Sequence, residues 1–542
     1  MTAVSSTAVS SRVGLGNRTK LVSGRTAPWT RDGVIEVRQA VAAITAVLAV
    51  LLAGCSPGRG VDLGQGTGNL IAAIGGEPDQ LDPQKTSAYF SFEVLENVFD
   101  TLIAPDANLE MKPALAERWQ VSPDQLVWTF HLRRGVTFHD GAPFSADDVV
   151  YSYRRIIDEK LVNSDKFSAV TAVEAPDPST VIIRVKKPTP NLLTNLGGFK
   201  GMAIVERRNV ESGQIATHPV GTGPFSFVSR KSGDSIVLKA NPNYWAGAPK
   251  VPGVTFQFIS EPSTALSALQ AGEIDWTDSV PTQRVAQLKN DDSIHLAVTP
   301  SNDYWYLALN EAKPPWNDPR VRQAIAYAID REAIVQATSY GTAVANQLAI
   351  PKGNPWYAPY AKYGRDLDKA KTLLTEAGEA PKSMDMLVTS EYPQTVTAAQ
   401  VIADNLAPLG ITVNIRTVDM ATWLDQQNSG NFDMLMMGWL GNIDPDDFYY
   451  AQHHTGGSSN AQKFSNPEVD RLLDAGRRET NPVVRRDDYA KAATLIADEV
   501  SYVYLYNPSV IQAWSTKLTG YDARRDKAIR FGTASLSGEG SQ

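Results

Sequence analysis

Cysteine is almost absent, with Cys55 the one thiol in 542 residues. That excludes an internal disulfide framework and any cysteine-based metal knuckle. Histidine is sparse too, and His131, His139, His218, His295, His453 and His454 form no HExxH or similar ligand spacing. The adjacent pair His453 and His454 points to opposite sides of a regular element, which makes it a poor metal site. There is no GxSxG elbow and no GxxxxGK[ST] phosphate loop. The cluster Gly64-Gln65-Gly66-Thr67-Gly68 follows no strand and reads as tether. No apolar run reaches the length of a bilayer span. With 43% hydrophobic and 20% charged residues, the composition is that of a globular chain, long enough for about three or four domains. No repeat and no low-complexity segment interrupts residues 69–530.

The charge that is present is unevenly placed. The chain carries −8 overall, yet residues 1–54 hold six arginine and lysine residues against two acidic ones. An acidic body without basic stretches is a poor partner for a phosphate backbone, so nucleic-acid binding is not expected. The run from Ala40 to Ala53, AVAAITAVLAVLLA, has the length of a signal-peptide core and ends in Leu52-Ala53-Gly54-Cys55. This resembles the bacterial lipoprotein processing box, in which the cysteine is acylated and becomes the new N-terminus. Residues 1–54 are then signal peptide and 55–68 a lipidated tether, SPGRGVDLGQGTG after Cys55 being a flexible composition. Acyl chains, at about 0.8 kcal/mol per buried CH₂, would hold the protein on the outer face of the bacterial cytoplasmic membrane. The competing reading makes Cys55 an ordinary buried residue beside a short helix. The stretch before the apolar run is long for a signal peptide, and a start near Val34 or Val37 would give an ordinary one.

Beyond the tether, strand-like runs such as Val181 to Val185 and Ser235 to Leu238 alternate with helix-like segments, giving a mixed α/β architecture. A helical segment is expected over Asp318 to Thr338, with Asp318 as N-cap, proline in the first turn and a core stripe of Val321, Ile325, Ala328 and Ile329. Asp366 to Ala377, closed by Gly378, and Pro467 to Arg477 are further helices. The acidic pairs Asp147-Asp148, Asp291-Asp292 and Asp446-Asp447 read as solvated. Tyr304 with Tyr306, and Tyr502, Tyr504 and Tyr506, share strand faces that serve either as cleft walls or as interdomain core.

Several segments carry a resemblance. PALAERWQVSPDQLVWTFHLRRGVTFHDGAPFSADDVVYSYRR from Pro113 to Arg155 resembles the signature stretch of the peptide, dipeptide and nickel class of solute-binding lipoproteins that serve ABC importers, family 5. GTGPFSFVSRKSGDSIVLKANPNYW (Gly221 to Trp245), ALQAGEIDW (Ala268 to Trp276), WNDPRVRQAIAYAIDREAI (Trp316 to Ile334) and NFDMLMMGW (Asn431 to Trp439) follow in family order. Read physically, RRGVTFHDG is a strand running into a turn at Gly135 and Gly141, and Ser145 caps a helix with Asp147 and Asp148 in its first turn. His139 and Asp140 are structural in this reading rather than catalytic.

The resemblance implies a periplasmic-binding-protein-like clamshell of class II with an extra inserted domain. It assigns 69–98, 218–306 and 512–542 to the core of lobe 1, 99–217 to the inserted domain and 307–511 to lobe 2. Ligand-binding positions carried over are Ser87, Ala88 and Tyr89 after Leu81-Asp82-Pro83, and Gly438 with Trp439; Tyr304 and Tyr306 join them from the aromatic pattern. The family's peptide binders place an aspartate three residues after that tryptophan for the ligand α-ammonium. Here the residue is Asn442, and Asp444 is the substitute or there is none. Dipeptide binders use an arginine in the loop resembling Thr389 to Gln394, where this chain has Glu391 and Tyr392 but no arginine. Oligopeptides whose termini reach solvent therefore fit better than dipeptides. The expected function is capture of an oligopeptide by a monomer that binds no cofactor or metal and no nucleic acid, and its delivery to ABC permease subunits with cytoplasmic ATPases. Haem, an oligosaccharide or a metal chelate are alternative ligands, with Trp305, Trp316 and Trp439 as stacking surfaces and Met434, Met436 and Met437 either haem ligands or strand core. An exported hydrolase is the alternative from another class, disfavoured by the missing motifs.

Overall fold

The continuous apolar segment Leu70–Ile74 is buried along almost its whole length, as a strand covered on both faces must be. It runs parallel to Gly253–Phe258 on one side and to Trp276–Thr277 on the other. In the computed structural model, which describes residues 68–199, 201–378, 381–390, 392–441 and 443–537, these strands lie at the middle of a seven-stranded mixed sheet. Its order is Ile294–Pro300, Ser509–Ser515, Trp276–Thr277, Leu70–Ile74, Gly253–Phe258, Ser235–Ala240 and Phe225–Lys231. Residues 1–54, expected to be a signal peptide, and Cys55, Glu391 and Asn442 lie outside the described residues.

A second, six-stranded mixed sheet has the order Val344–Ala345, Tyr502–Asn507, Tyr304–Leu309, Met434–Trp439, Ser383–Thr389 and Thr412–Val418. Each face of this sheet has its own core: Met434 and Met436 project into one, Leu435 and Met437 into the other. A four-stranded antiparallel sheet, Ala116–Val121, Val127–Leu132, Thr180–Val185 and Val170–Asp177, packs with helix Ala146–Asp158 over a separate core. Two lobes built on the two large sheets, with the smaller sheet attached to the first, make the clamshell.

Local signals act as the residue types require. Ser145 and Asp148 form a capping box, the Asp148 carboxylate accepting the Ser145 N–H at 2.8 Å. Asp318 accepts from the Arg320 N–H at 2.8 Å, and Gly378 closes helix Leu367–Ala377 at φ 78°. The expected helix over 318–338 is two helices, Pro319–Ala328 and Arg331–Ser339. Ile329 turns extended between them, and Asp330 caps the second helix through the Ala333 N–H while its own N–H donates to Asn405.

Candidate functional site: the interlobe cleft

The chain passes between the two large sheets twice, at Ser301–Asp303 and at Pro508. The two passages are tied together. Ser301 donates both its N–H (3.0 Å) and its hydroxyl (2.7 Å) to the Pro508 carbonyl. The Asn507 amide donates to the carbonyls of Asp303 (2.8 Å) and Ala349 (2.9 Å). Ser301, Asn302 and Asn507 are buried, so these bonds are shielded from water and tie the two crossings between the sheets together.

On the first lobe, Asp82 is held by the Arg155 guanidinium through two bonds of 3.2 and 2.6 Å, and its carbonyl accepts the N–H groups of Lys85 and Thr86. The Thr86 hydroxyl donates to Asp79 at 2.7 Å and accepts the Ala88 N–H at 3.0 Å. This frame presents Ser87 exposed and leaves Ala88 and Tyr89 half-buried. The Lys527 ammonium lies 5.5 Å from the Tyr89 ring centre and pairs with Asp303, whose carboxylate also accepts the Gly441 N–H at 3.1 Å. The Ser87–Tyr89 loop and the turn after Trp439 are thereby brought to one ion pair beside the Ser301–Asp303 crossing.

On the second lobe, Gly438 lies opposite Trp305, and a Cβ there would stand 3.0 Å from the indole ring. Tyr392 sets its ring edge-on to Trp305 at 5.8 Å and remains 42% exposed, while Trp439 is half-buried. Three expected ligand positions are corrected. Tyr304 and Tyr306 are each 1% exposed and sit in the lobe 2 core, Tyr306 stacked on Tyr502 at 3.9 Å; the opposite face of their strand carries Trp305 toward Tyr392. Asp444 is not a free anchor, because Arg485 takes both its oxygens at 2.8 and 2.7 Å in the interior of lobe 2. Nor is Asp446 solvated. It is buried against Arg477 and Tyr489, and burial pushes its carboxyl up to about 7 against the pull of Arg477.

The sequence model of the bacterial extracellular solute-binding proteins, family 5, matches residues 110–460. The chain belongs to that family. It is 29% identical over 501 residues to the periplasmic murein peptide-binding protein MppA of Escherichia coli K12, an alignment covering 85% of this chain and 92% of the relative. The structure of HbpA2 from Haemophilus parasuis superposes with a TM-score of 0.78 at 26% identity, over 86% of this chain and 100% of that one. DppA from Helicobacter pylori, solved in complex with the peptide STSA, gives 0.75 at 28% identity over 86% and 98%. As a family 5 solute-binding protein, the chain is a transporter-type binding protein and not an enzyme.

Elsewhere in this solute-binding protein the lobes meet through charge. Lys166, beside the four-stranded sheet, approaches Asp447 of lobe 2 at 3.9 Å. An interlobe cavity is lined by Glu96, Asp526 and Arg530 from the first lobe and by Gly441, Ile443 and Asp447 from the second. Arg530 reaches Glu96 at 3.2 Å, and Asp526 is bound by Arg524 at 2.6 Å, so the wall is polar with its charges matched. None of Glu96, Lys166, Asp303, Lys527 and Arg530 carries a local sequence signal, because each becomes a cleft residue only through contacts hundreds of positions away. His139 is structural. Its Nε2 donates to the Gly223 carbonyl at 3.0 Å and its Nδ1 accepts the Gly221 N–H at 3.2 Å, joining two of the family segments. His453 is buried as well, between Ser501 and Tyr504, each at 2.8 Å. Met434, Met436 and Met437 are strand core.

Proposed function

We propose that the chain is the peptide receptor of an ABC importer. It closes about the Ser301–Asp303 and Pro508 hinge on an oligopeptide and delivers it to a permease driven by cytoplasmic ATPases. The observation that carries this reading is the likeness over 86% of the chain to a binding protein solved with a bound peptide, together with the murein peptide-binding relative. A lipidated Cys55, with residues up to 68 as tether, holds the monomer on the outer face of the membrane while the lobes above it open and close. In this reading 69–98, 218–306 and 512–542 make lobe 1, 99–217 the inserted domain and 307–511 lobe 2.

Two features favour oligopeptides over dipeptides. Asp444 is already neutralised by Arg485, and the segment from Thr389 to Gln394 has no arginine for a ligand carboxylate. A dipeptide buried with both termini unpaired would lose several kcal/mol, whereas a longer peptide can leave an end in water. Ser87, Ala88, Tyr89, Tyr392, Gly438 and Trp439 are the proposed contacts, and Glu391 and Asn442 the proposed contacts outside the described residues.

Native mass spectrometry of the full chain, extracted from its own kind of host with endogenous ligand bound, tests this. The expected result is a ladder of masses that decodes to peptides of three or more residues. A single non-peptide mass would move the assignment to haem, a glycan or a metal chelate.

A further inference from the structure

Below the Ser87–Tyr89 loop the first lobe buries an acid that the cleft as described does not use. Glu93 follows Tyr89 by one helical turn on Tyr89–Leu95, is 1% exposed, and neither of its carboxyl oxygens has a hydrogen-bond partner. Such an orphan needs an explanation, since a buried polar group left unpaired is destabilising by about 1–3 kcal/mol. Asp278 and Tyr89 flank it and are the polar groups it interacts with. Asp278 is the first residue past strand Trp276–Thr277, at the carboxyl ends of the parallel strands where open α/β sheets receive ligands.

The surroundings are orphaned in the same way. The pairing of Trp276 with Trp514 and of Thr277 with Ala513 sets Gln512 across from Asp278. Tyr521 donates to the Gln512 carbonyl oxygen at 2.8 Å, yet the Gln512 amide nitrogen stays unpartnered. The glycines after the central strand let the helix come this close, since a Cβ at Gly76 would stand 2.6 Å from the Phe90 ring.

Charge points to what is missing. Glu93, Asp278 and Asp303 surround a single ammonium, that of Lys527, and Lys527 is committed to Asp303. Asp278, half-buried, makes no ion pair among the described residues. Burial pushes both the Glu93 and Asp278 carboxyls above the ordinary range despite Lys527, as expected of acids that lack a second cation.

We propose that Asp278 receives a primary ammonium group of the ligand, the α-ammonium of a peptide or a lysine side chain, with Glu93 behind it as a positioning residue. The inference rests on the peptide-receptor reading. It gives the cationic end of the ligand a receptor on lobe 1, in place of the Asp444 that Arg485 consumes.

The test compares full-length wild type, Asp278→Asn, Asp278→Glu and Glu93→Gln, each extracted from the same host. Bound peptides are quantified and sequenced by mass spectrometry, and circular dichroism melts report folding. Asp278→Asn should lose about tenfold in peptide occupancy, the scale of one charged contact, with Asp278→Glu close to wild type and Glu93→Gln in between. Loss across all peptides assigns the α-ammonium, and loss confined to lysine-containing peptides assigns the side chain. If Asp278→Asn fails to fold, Glu93→Gln decides by the same criterion. Unchanged occupancy and unchanged sequences overturn the inference and leave the receptor reading standing. A wild type that carries no peptide overturns both.

Discussion

Arg485 shows how one side chain removes a neighbour from the list of ligand contacts. Its guanidinium takes both Asp444 oxygens and donates to the Gly476 carbonyl at 2.8 Å, all in the interior of lobe 2. Arg485→Met would leave the Asp444 carboxylate buried and unpaired, so unfolding free energy should fall by about 3–5 kcal/mol, read from the urea midpoint. Peptide occupancy of the folded fraction should hold, because neither residue reaches the cleft; a loss of binding without a loss of stability would return Asp444 to the site. His139 makes a second residue-scale prediction. A carbonyl and an N–H fix its tautomer, so protonation of Nδ1 breaks the Gly221 bond, and burial pushes the ring from 6.5 down to about 4. The unfolded chain therefore binds a proton that the folded chain refuses between those values. The His139 contribution is complete above pH 6.5 and is lost at about 1.4 kcal/mol per pH unit as pH falls toward 4. Raised carboxyls such as Asp446 titrate in the opposite sense, so the measurement is the difference in stability between wild type and His139→Asn. That difference should be flat above about pH 7 and shrink steadily below it.

At the scale of elements, close approach at the Ser301–Asp303 crossing depends on the missing Cβ of Gly441. An added methyl there would collide with the Asn302 carbonyl, which is backbone and cannot rotate away. At Gly438 the neighbour is the Trp305 side chain at 3.0 Å, which can tilt. Gly441→Ala should therefore cost about 1–3 kcal/mol and disturb the passage at Ser301–Asp303, giving a lower melting temperature and weaker peptide retention than Gly438→Ala. Equal melts for the two variants would show that the hinge backbone yields. The elements themselves were largely legible in the chain: the Ser145 cap, the turns at Gly135 and Gly141, and the end of helix Leu367–Ala377 at Gly378 are local chemistry. The break at Ile329 was not, since Asp330 is stabilised by Asn405 from a distant helix. The strand period likewise located Tyr304 and Tyr306 without saying which face meets the cleft, because a central strand buries both of its faces. Asp444 failed as the break at Ile329 did, through a distant partner, here on helix Pro482–Asp498.

For the whole molecule, the relevant energy is the difference between lobe arrangements, and two ion pairs, one between the lobes and one on the passage that connects them, are unequal in it. Lys166 and Asp447 are 3.9 Å apart with both side chains 19% exposed, a geometry worth at most about 1 kcal/mol and weakened by salt. Lys527 and Asp303 pair on the Ser301–Asp303 crossing itself, and Asp303 is further fixed by Gly441, so breaking that pair releases a passage between lobes as well as a contact. Since 1.4 kcal/mol is a tenfold change in a two-state population, the second pair has the leverage to shift the resting distribution and the first does not. Lys527→Met should raise the ligand-free radius of gyration in small-angle X-ray scattering and leave the peptide-bound value unchanged, because ligand contacts then hold the lobes. Lys166→Met should change neither. If both variants scatter as wild type does, the lobe arrangement is set by the buried bonds among Ser301, Asn507 and Pro508, and Lys527 serves the charge balance around Asp278 and Glu93 alone.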